Sequence, residues 1–533
     1  MTASPVPFIF DLPWNVRSRD VLDGLSREFN TRVSPPQRSR LRYFDTFDWR
    51  LYSRGLTLTR TGGEYQTRRI GGGAVLESAR GGGEKAADSH GGGRAGVGAE
   101  RFWWDFPDGA LRERLRGILK VRALCCVGEV TLRSSVAAVL NSDLKTVARV
   151  GVRTGEALCE GRSGGRIRLL EIAPVKGYTR DARRLAQHLL DTGLRPAERD
   201  MFGAAVVACG REPGDYTSKL HLELTPSMAA GQAAAEIFGS LLDTIERNVD
   251  GVINDIDTEF LHDFRVAIRR TRSGLAQLKR ILPPGVKERF GDGFAKLGRS
   301  TNRLRDLDVY LLSRDGYRNM LDEDLRSGLD PLFGALERER RDEHRRVVDT
   351  IRSGNYTDLV TGWRNTLREM TATEQHGEPA AVPAVDLARE VIIKRYGRVV
   401  RRGRRITDRA PDTALHALRI ECKKLRYLLE FFASLFPRKT IGDFVEQLKG
   451  LQDNLGEYND LIVQQADLKS FLGNLSAGSS VNVVETAAAV GALIAKLDQR
   501  RRQTRREFSA AFEAFAGHAN EQRFEKLFGP GDK

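Results

Sequence analysis

Cysteine is scarce in this chain: Cys125, Cys126, Cys159, Cys209 and Cys422 are the only five in 533 residues. None stands at a zinc-type spacing, and the adjacent pair cannot readily bridge to itself without strain, so no cysteine-built metal centre is expected. A reducing cytoplasm fits this usage best. Long apolar runs are missing too. No segment approaches the roughly 18 to 20 apolar residues of a membrane span, and the opening MTASPVPFIFDLPW has neither a basic lead nor an apolar stretch, so a soluble, non-secreted protein is expected. Glycine triplets at 71, 81 and 91 do not form a phosphate-cradling loop, because no strand-to-helix fingerprint with Lys-Ser/Thr accompanies them. The segment 71–99 reads instead as a flexible insertion between two strands, with His90 a solvated loop residue.

What the chain has in excess is positive charge. Lys and Arg number 86 against 71 Asp and Glu, for a net charge of +15, which favours an anionic partner and says nothing about fold. The excess is local: from Arg389 to Arg426 there are 13 basic and 4 acidic residues, against 5 and 8 from Glu236 to Arg272.

The basic residues follow a pattern written twice. LHDFRVAIRRTR (261–272) sets His262, Arg265, Arg269, Arg270 and Arg272 in the order that LHALRIECKKLR (415–426) repeats with His416, Arg419, Lys423, Lys424 and Arg426. The offset is 416 − 262 = 154 residues, and Glu236 and Glu390 keep it upstream, which marks an internal duplication of a multi-helix unit. At about 100° per residue the histidine and the cations at +3, +7 and +10 fall on one narrow ridge. Phe264, Ile268, Leu275 and Leu278 cluster on another stripe of the same wheel, as do Leu418, Cys422, Leu425 and Leu429. A single such helix reads most simply as a solvated charged face. Repetition with the histidine held in place favours a binding ridge.

Composition divides the chain. Up to about residue 212, strand-like runs dominate: LRYFDTF, GLTLTR, FWWDFP, CCVGEVTLR, TVARVGVRT and RIRLLEIAP, with helices expected at SRDVLDGLSREF and RDARRLAQHLLDTG. A linker over 213–228 leads into a helical region, 229–530, with breaks at LPPG, HGEPAAVPA and SAGSS and halves at 229–372 and 385–530. Each half has a later polar motif, NRLRDLDV (302–309) and DNLGEYND (453–460). Their acids, Asp306, Asp308, Glu457 and Asp460, are expected to orient the ridge from a neighbouring helix. Arg303, Arg305, Lys394, Arg398 and Arg401 are further candidates for anion contact.

The duplicated H-x2-R-x3-[KR][KR]-x-R unit, with RDLDV after the first copy, resembles the CHAD family of conserved-histidine α-helical domains over roughly 229–530. That resemblance implies two pseudo-symmetric four-helix bundles, a basic pore or cleft that binds inorganic polyphosphate, and association with polyphosphate granules in bacteria. Phosphate oxygens suit forked Arg donors and Lys point charges, and a neutral histidine beside arginines has one N–H to donate. The N-terminal region is similar to the CYTH family of triphosphate tunnel enzymes through YFDTFDWRLYSRGLTLTR (43–60) and APVKGYTRDARRLAQHLLDTGL, which implies an α+β domain built on an antiparallel β tunnel.

The chemistry of that second family does not follow. It requires Glu-x-Glu-x-Lys on the first strand to hold divalent metal, where this chain reads PFIFDLPW, and its tunnel arginines are replaced by Thr59 and Thr61. The expectation is therefore a protein that binds polyphosphate without turnover, with no cofactor and no resident metal. A metal-dependent triphosphatase or nucleotide cyclase working through Glu129, Asp143 or Glu171 is the alternative. Non-specific nucleic-acid binding is weaker, since few aromatics interleave the ridges, and so is metal chelation by His262 and His416 among so many cations.

Overall fold

The structure, a computed structural model, describes residues 7–71, 75–81, 101–159, 162–372, 380–475 and 483–529. The chain divides into two compact units, Met1–Ser218 and Lys219–Lys533.

The first unit runs β1 (Phe8–Asp11), α1 (Ser18–Glu28), β2 (Thr31–Val33), β3 (Gln37–Asp45), β4 (Leu56–Thr61), β5 (Glu64–Arg69), β6 (Glu77–Arg80), α2 (Ala110–Leu119), β7 (Cys125–Leu140), β8 (Thr146–Cys159), β9 (Arg162–Pro174), α3 (Thr179–Asp191), β10 (Arg195–Pro196) and α4 (Met201–Ala208). The strands form one antiparallel sheet in the order β10-β1-β9-β8-β7-β3-β4-β5-β6, with β2 also paired to β7. Alternation along the strands supplies two apolar faces. Tyr43, Val130, Leu132, Ala157, Ile167 and Leu169 pack under α4. Ala137, Val150, Val152, Leu170 and Ile172 pack on the opposite side against Leu22 and Leu25 of α1 and Leu185 and Leu189 of α3. Such a sheet is compatible with a tunnel-like fold. Asp45 fixes the turn after β3, accepting from the N–H groups of Thr46, Leu51 and Tyr52 at 2.7, 2.9 and 2.8 Å.

Three readings of the sequence change here. FWWDFP is not a strand: Trp103–Asp105 form a 3-10 turn leading into α2, where Leu111, Leu115 and Leu119 recur at helical spacing and are buried. Strand β6 lies inside the segment read as a flexible insertion, where Glu77 pairs with Thr67 of β5; residues 72–74 and 82–100, including His90, lie outside the described residues. Cys159 and Cys209 form a disulfide across a Cα separation of 5.3 Å, a pairing that the sequence reading does not include. The pairing brings the end of β8 to the end of α4 from 50 residues away, with no local spacing to announce it.

The second unit is helical. Its first half comprises α5 (Ala230–Ile253), α6 (Thr258–Gln277), α7 (Val286–Ser300), α8 (Asn302–Leu312), α9 (Arg314–Asn319), α10 (Asp330–Arg352) and α11 (Gly354–Ala372). The second comprises α12 (Ala384–Gly403), α13 (Asp412–Phe431), α14 (Arg438–Gly473), α15 (Val483–Ala516) and α16 (His518–Phe528). The duplication carries through to the bounds of the basic helices: adding 154 to 258 and 277 of α6 yields 412 and 431 of α13. An isolated bridge joins Ala229 to Pro383, again 383 − 229 = 154. Around it Ala230 N–H donates to the Val382 carbonyl at 2.9 Å and Ala384 N–H to the Met228 carbonyl at 2.7 Å. Each strand of the bridge is the other's repeat, so the local two-fold axis of the pseudo-symmetric bundles passes between them.

The apolar stripes lie inside: Phe264, Ile268, Leu275, Leu278, Leu418, Cys422, Leu425 and Leu429 are all buried. The halves also share a core, in which Leu307, Tyr310, Leu329 and Phe333 of the first pack with Leu461, Leu468, Val490 and Leu493 of the second. No helix among the described residues is long and apolar enough to cross a membrane.

The first half has its own aromatic centre. Trp363 of α11 is fully buried, with Phe238, Phe290 and Phe294 at ring centroid distances of 5.3, 4.9 and 6.0 Å. Trp363→Ala is expected to cost about 3–5 kcal/mol. Denaturant unfolding of the full chain, followed by helical ellipticity, should show the corresponding loss in the helical transition.

Candidate functional site

Helices α6 and α13 meet on the two-fold axis, and their cations meet with them. Gln277 of α6 donates to the Lys424 carbonyl of α13 at 3.2 Å, and Arg269 Nε donates to the Tyr427 hydroxyl at 2.8 Å. Arg269 and Lys423 are repeats of one another, and Arg269, with Arg419, lies close enough to Lys423 to depress its pKa. Burial is the larger cause; together they push the Lys423 ammonium down to about 7 from 10.5. Lys423 makes no hydrogen bond or salt bridge among the described residues.

Arg265 and Arg419 flank this pair. Arg265 is pushed down to about 10, first by burial and then by Arg269 and Arg305, while Asp306 and Asp308 oppose the shift. It also stitches α6 to the junction of α7 and α8, donating to the Gly298 carbonyl at 3.2 Å, Thr301 Oγ1 at 2.6 Å and Asn302 Oδ1 at 2.9 Å. The junction needs such a donor, because the last carbonyls of α7 have no partner within the helix. Arg419 reaches Asp460 of α14 at 3.4 Å, and its Nε is buried without a hydrogen-bond partner.

Two acids face the four cations. Asp460 acts on Lys423, and both Asp460 and Asp306 are felt by their neighbours in the cluster. The Asp306 carboxyl is raised, first by burial, with Asp467 and Asp460 adding to the rise and Arg265 and Arg303 opposing it. With Arg265, Arg269, Arg419 and Lys423 charged against Asp306 and Asp460, the centre carries a surplus of positive charge and unused donors. That arrangement suits an anion with several oxygens.

The histidines differ. His262 stands half-buried on α6 and His416 exposed on α13. His416 Nδ1 lies 2.7 Å from Asn459 Oδ1. Asn459 Nδ2 in turn points to Asp460 at 3.4 Å, so the amide oxygen faces the imidazole and Nδ1 carries the proton. Nε2 is the ring nitrogen left for a ligand.

The remaining candidates lie elsewhere. Arg270 and Arg426 converge on Glu430 at 2.5 and 2.7 Å, Lys424 holds Glu421 at 3.1 Å, and the exposed Arg272 faces Arg299 of α7. Arg270 thus crosses from α6 to α13 beside Tyr427, 5.9 Å from its ring centroid, but Glu430 takes up its charge. Arg303 is held by Glu339 and Asp467 at 2.6 and 3.1 Å. Arg305 donates to the Thr258 carbonyl at 3.1 Å. Lys394, Arg398 and Arg401 are exposed on α12, where Arg395 instead turns inward to Glu421 at 2.5 Å. Asp308 does not orient the ridge directly: it holds Arg340 at 2.7 Å, which also grips Asp255. Glu457 holds Arg500 at 2.6 Å, and so it too serves the bundle.

Tyr427 and Asp467 are the participants that sequence reasoning missed. Tyr427 stands one residue past the second repeat, where a search for cations does not look. Asp467 lies beyond the polar motif on α14, and its signal is a carboxylate two helical turns downstream of Asp460.

The low pKa of Lys423 would couple the binding of an anion at this centre to pH. An anion at the centre favours the ammonium and raises its pKa toward 10.5, so binding takes up a proton between about pH 7 and 10.5. Affinity should therefore fall as pH rises through this window, and Lys423→Arg should flatten the profile. Titration at fixed salt in buffers of different ionisation enthalpy reads both the slope and the proton uptake.

Residues 236–469 match the family model described as the CHAD domain. Among solved structures, the chain is similar to the crystal structure of the CHAD domain from the plant Ricinus communis, with 26% identity, a TM-score of 0.47 and coverage of 55% of this chain and 95% of that one. It is also similar to PptA from Streptomyces chartreusis, with 15% identity, a TM-score of 0.40 and coverage of 56% and 100%. No curated protein matches the chain.

Proposed function

From the premise that this chain carries a CHAD domain, over residues 236–469, we propose that it binds inorganic polyphosphate at the centre formed by Arg265, Arg269, Arg419 and Lys423. One observation carries the reading: four cations from two repeats share a partly buried interface in which the acids acting on them, Asp306, Asp308 and Asp460, are fewer than the cations. The CHAD resemblance supplies the ligand class, and the chemistry agrees with it. A phosphate chain offers successive oxygens with charge on every unit, which suits adjacent guanidinium forks and an ammonium drawn to its charged form. Association with polyphosphate granules follows from such binding.

Binding proceeds without turnover in this reading. In the first unit Glu129 is shared by Arg40 and by Arg42 at 2.9 Å, and Glu171 is held by Arg153 at 3.0 Å. Asp143 stands in an exposed turn closed by Asn141. These carboxylates are engaged with arginines or lie apart. Purified protein with Mg²⁺ or Mn²⁺ should release no more phosphate from triphosphate or ATP than buffer does; release lost in Glu129→Gln would establish the enzymatic alternative.

The binding reading is tested by competition between long-chain polyphosphate and duplex DNA of equal charge concentration at near-physiological salt. Polyphosphate should win. Arg269→Gln with Lys423→Gln should lower its affinity at least about 100-fold, two charge-assisted contacts of roughly 1.5–3 kcal/mol each being lost. Equal binding of DNA, insensitive to these substitutions, would overturn the proposal.

A further inference from the structure

The first unit carries a second concentration of unpaired arginine, on the sheet face opposite Tyr43 and Thr59. Cross-strand register sets it out in rows. Arg38 of β3 stands opposite Arg133 of β7, Arg133 opposite Thr154 of β8, and Thr154 opposite Arg168 of β9. Two residues along, Arg40, Thr131, Glu156 and Arg166 form the neighbouring row. The end of this face nearer Val152 and Leu170 is covered by α1 and α3, and the arginine end is open. Trp14, Arg17, Arg38, Arg133, Arg166 and Arg168 are among the residues lining a cavity there of about 630 Å³.

The arginines do not all have the same work. Arg168 donates to the Pro13 carbonyl at 2.8 Å and to the Val16 carbonyl, and its guanidinium lies 5.4 Å from the Trp14 ring centroid. It pins the turn that brings Arg17 to the rim. Arg40 is taken up by Glu129. Arg17, Arg38, Arg133 and Arg166 are exposed, and their side chains make no salt bridge or hydrogen bond among the described residues. Like charges directly opposite on paired strands are destabilising, so setting Arg38 against Arg133 without a carboxylate between them has a cost that an anion would remove. Glu156, opposite Arg166, is the one acid lining the cavity among the described residues.

We infer that this face is a second binding surface for the same class of ligand, a linear inorganic phosphate chain, lying across β3, β7, β8 and β9 on Arg38, Arg133 and Arg166 with Arg17 at its edge. The inference rests on the polyphosphate reading for the choice of ligand, and on the row geometry for the site. Arg38 and Arg133 stand on adjacent strands, about 4.8 Å apart, and Arg166 lies in the neighbouring row two strands beyond Arg133, so the three forks are spread along a path that non-consecutive phosphates of one chain can meet. A phosphate chain fits better than a nucleic acid because Trp14 is the one aromatic lining the cavity among the described residues, and Arg168 is stacked against it.

The test uses the full chain, long-chain polyphosphate as probe, and two sets of substitutions. In the R265Q/R269Q/R419Q/K423Q background, residual binding is expected. Adding R38Q/R133Q/R166Q should lower the residual affinity at least about tenfold and reduce the slope of log K against log salt by about 2, at roughly 0.7 per phosphate contact. The lysine set R38K/R133K/R166K keeps the charge and should retain most of the slope, which separates lost contacts from lost folding. Residual binding indifferent to the glutamine set would overturn the inference. So would tighter binding of single-stranded RNA of equal charge that depends on Trp14, as read with Trp14→Ala. If the helical substitutions leave affinity at the wild-type level while the glutamine set removes it, the helical centre is refuted and the sheet surface stands.

Discussion

Repulsion between cations held at one axis is the constraint on which the helical unit is organised. Arg269 and Lys423 approach across the interface of α6 and α13, with Arg419 beside Lys423 and Arg265 beside Arg269. Nothing in that approach is favourable by itself. The apolar stripes behind the cations, buried on both helices, supply the force that brings the helices together, because burying apolar area outweighs a repulsion that partial deprotonation of Lys423 relieves. The acids on α8 and α14 reduce the surplus without cancelling it. The result is a partly buried centre with more positive than negative groups.

The supporting ion pairs follow the same logic at greater distance. Asp308 with Arg340, Glu457 with Arg500, and Arg303 with Glu339 tie the helices carrying the acids to α10 and α15. Several of these groups are partly exposed, and such pairs contribute little stability individually. Their effect is positional. They hold α8 and α14 where Asp306 and Asp460 face the cations.

The duplication, the apolar stripes and the two-unit layout were legible in the sequence because each is a regular pattern that local geometry expresses directly. The division among the cations was not. A helical wheel places +3, +7 and +10 on one ridge, yet only the neighbouring helices decide what each of them meets: Arg272 faces Arg299 of α7, and Arg426 is taken up by Glu430. The role of Asp308 was hidden for the same reason, since Arg340 comes from a helix 32 residues away. In the first unit, glycine triplets around β6 concealed a strand whose partner, β5, supplies the pairing, and the Cys159–Cys209 disulfide depends on a meeting of β8 and α4 that no spacing encodes. Periodicity reports which side of an element is buried; it does not report what stands opposite.

The bridge between Ala229 and Pro383 relates two positions of the repeat to each other, as an isologous dimer contact would. A dimer of two identical halves would have to place the same side chain on both sides of its axis. Joining the halves in one chain removes that obligation. At the +7 position one side carries a guanidinium whose charge is permanent, Arg269, and the other an amine whose charge responds to its surroundings, Lys423. The covalent link therefore lets a symmetric scaffold hold an asymmetric pair, one cation of fixed charge and one whose charge is set by its neighbours.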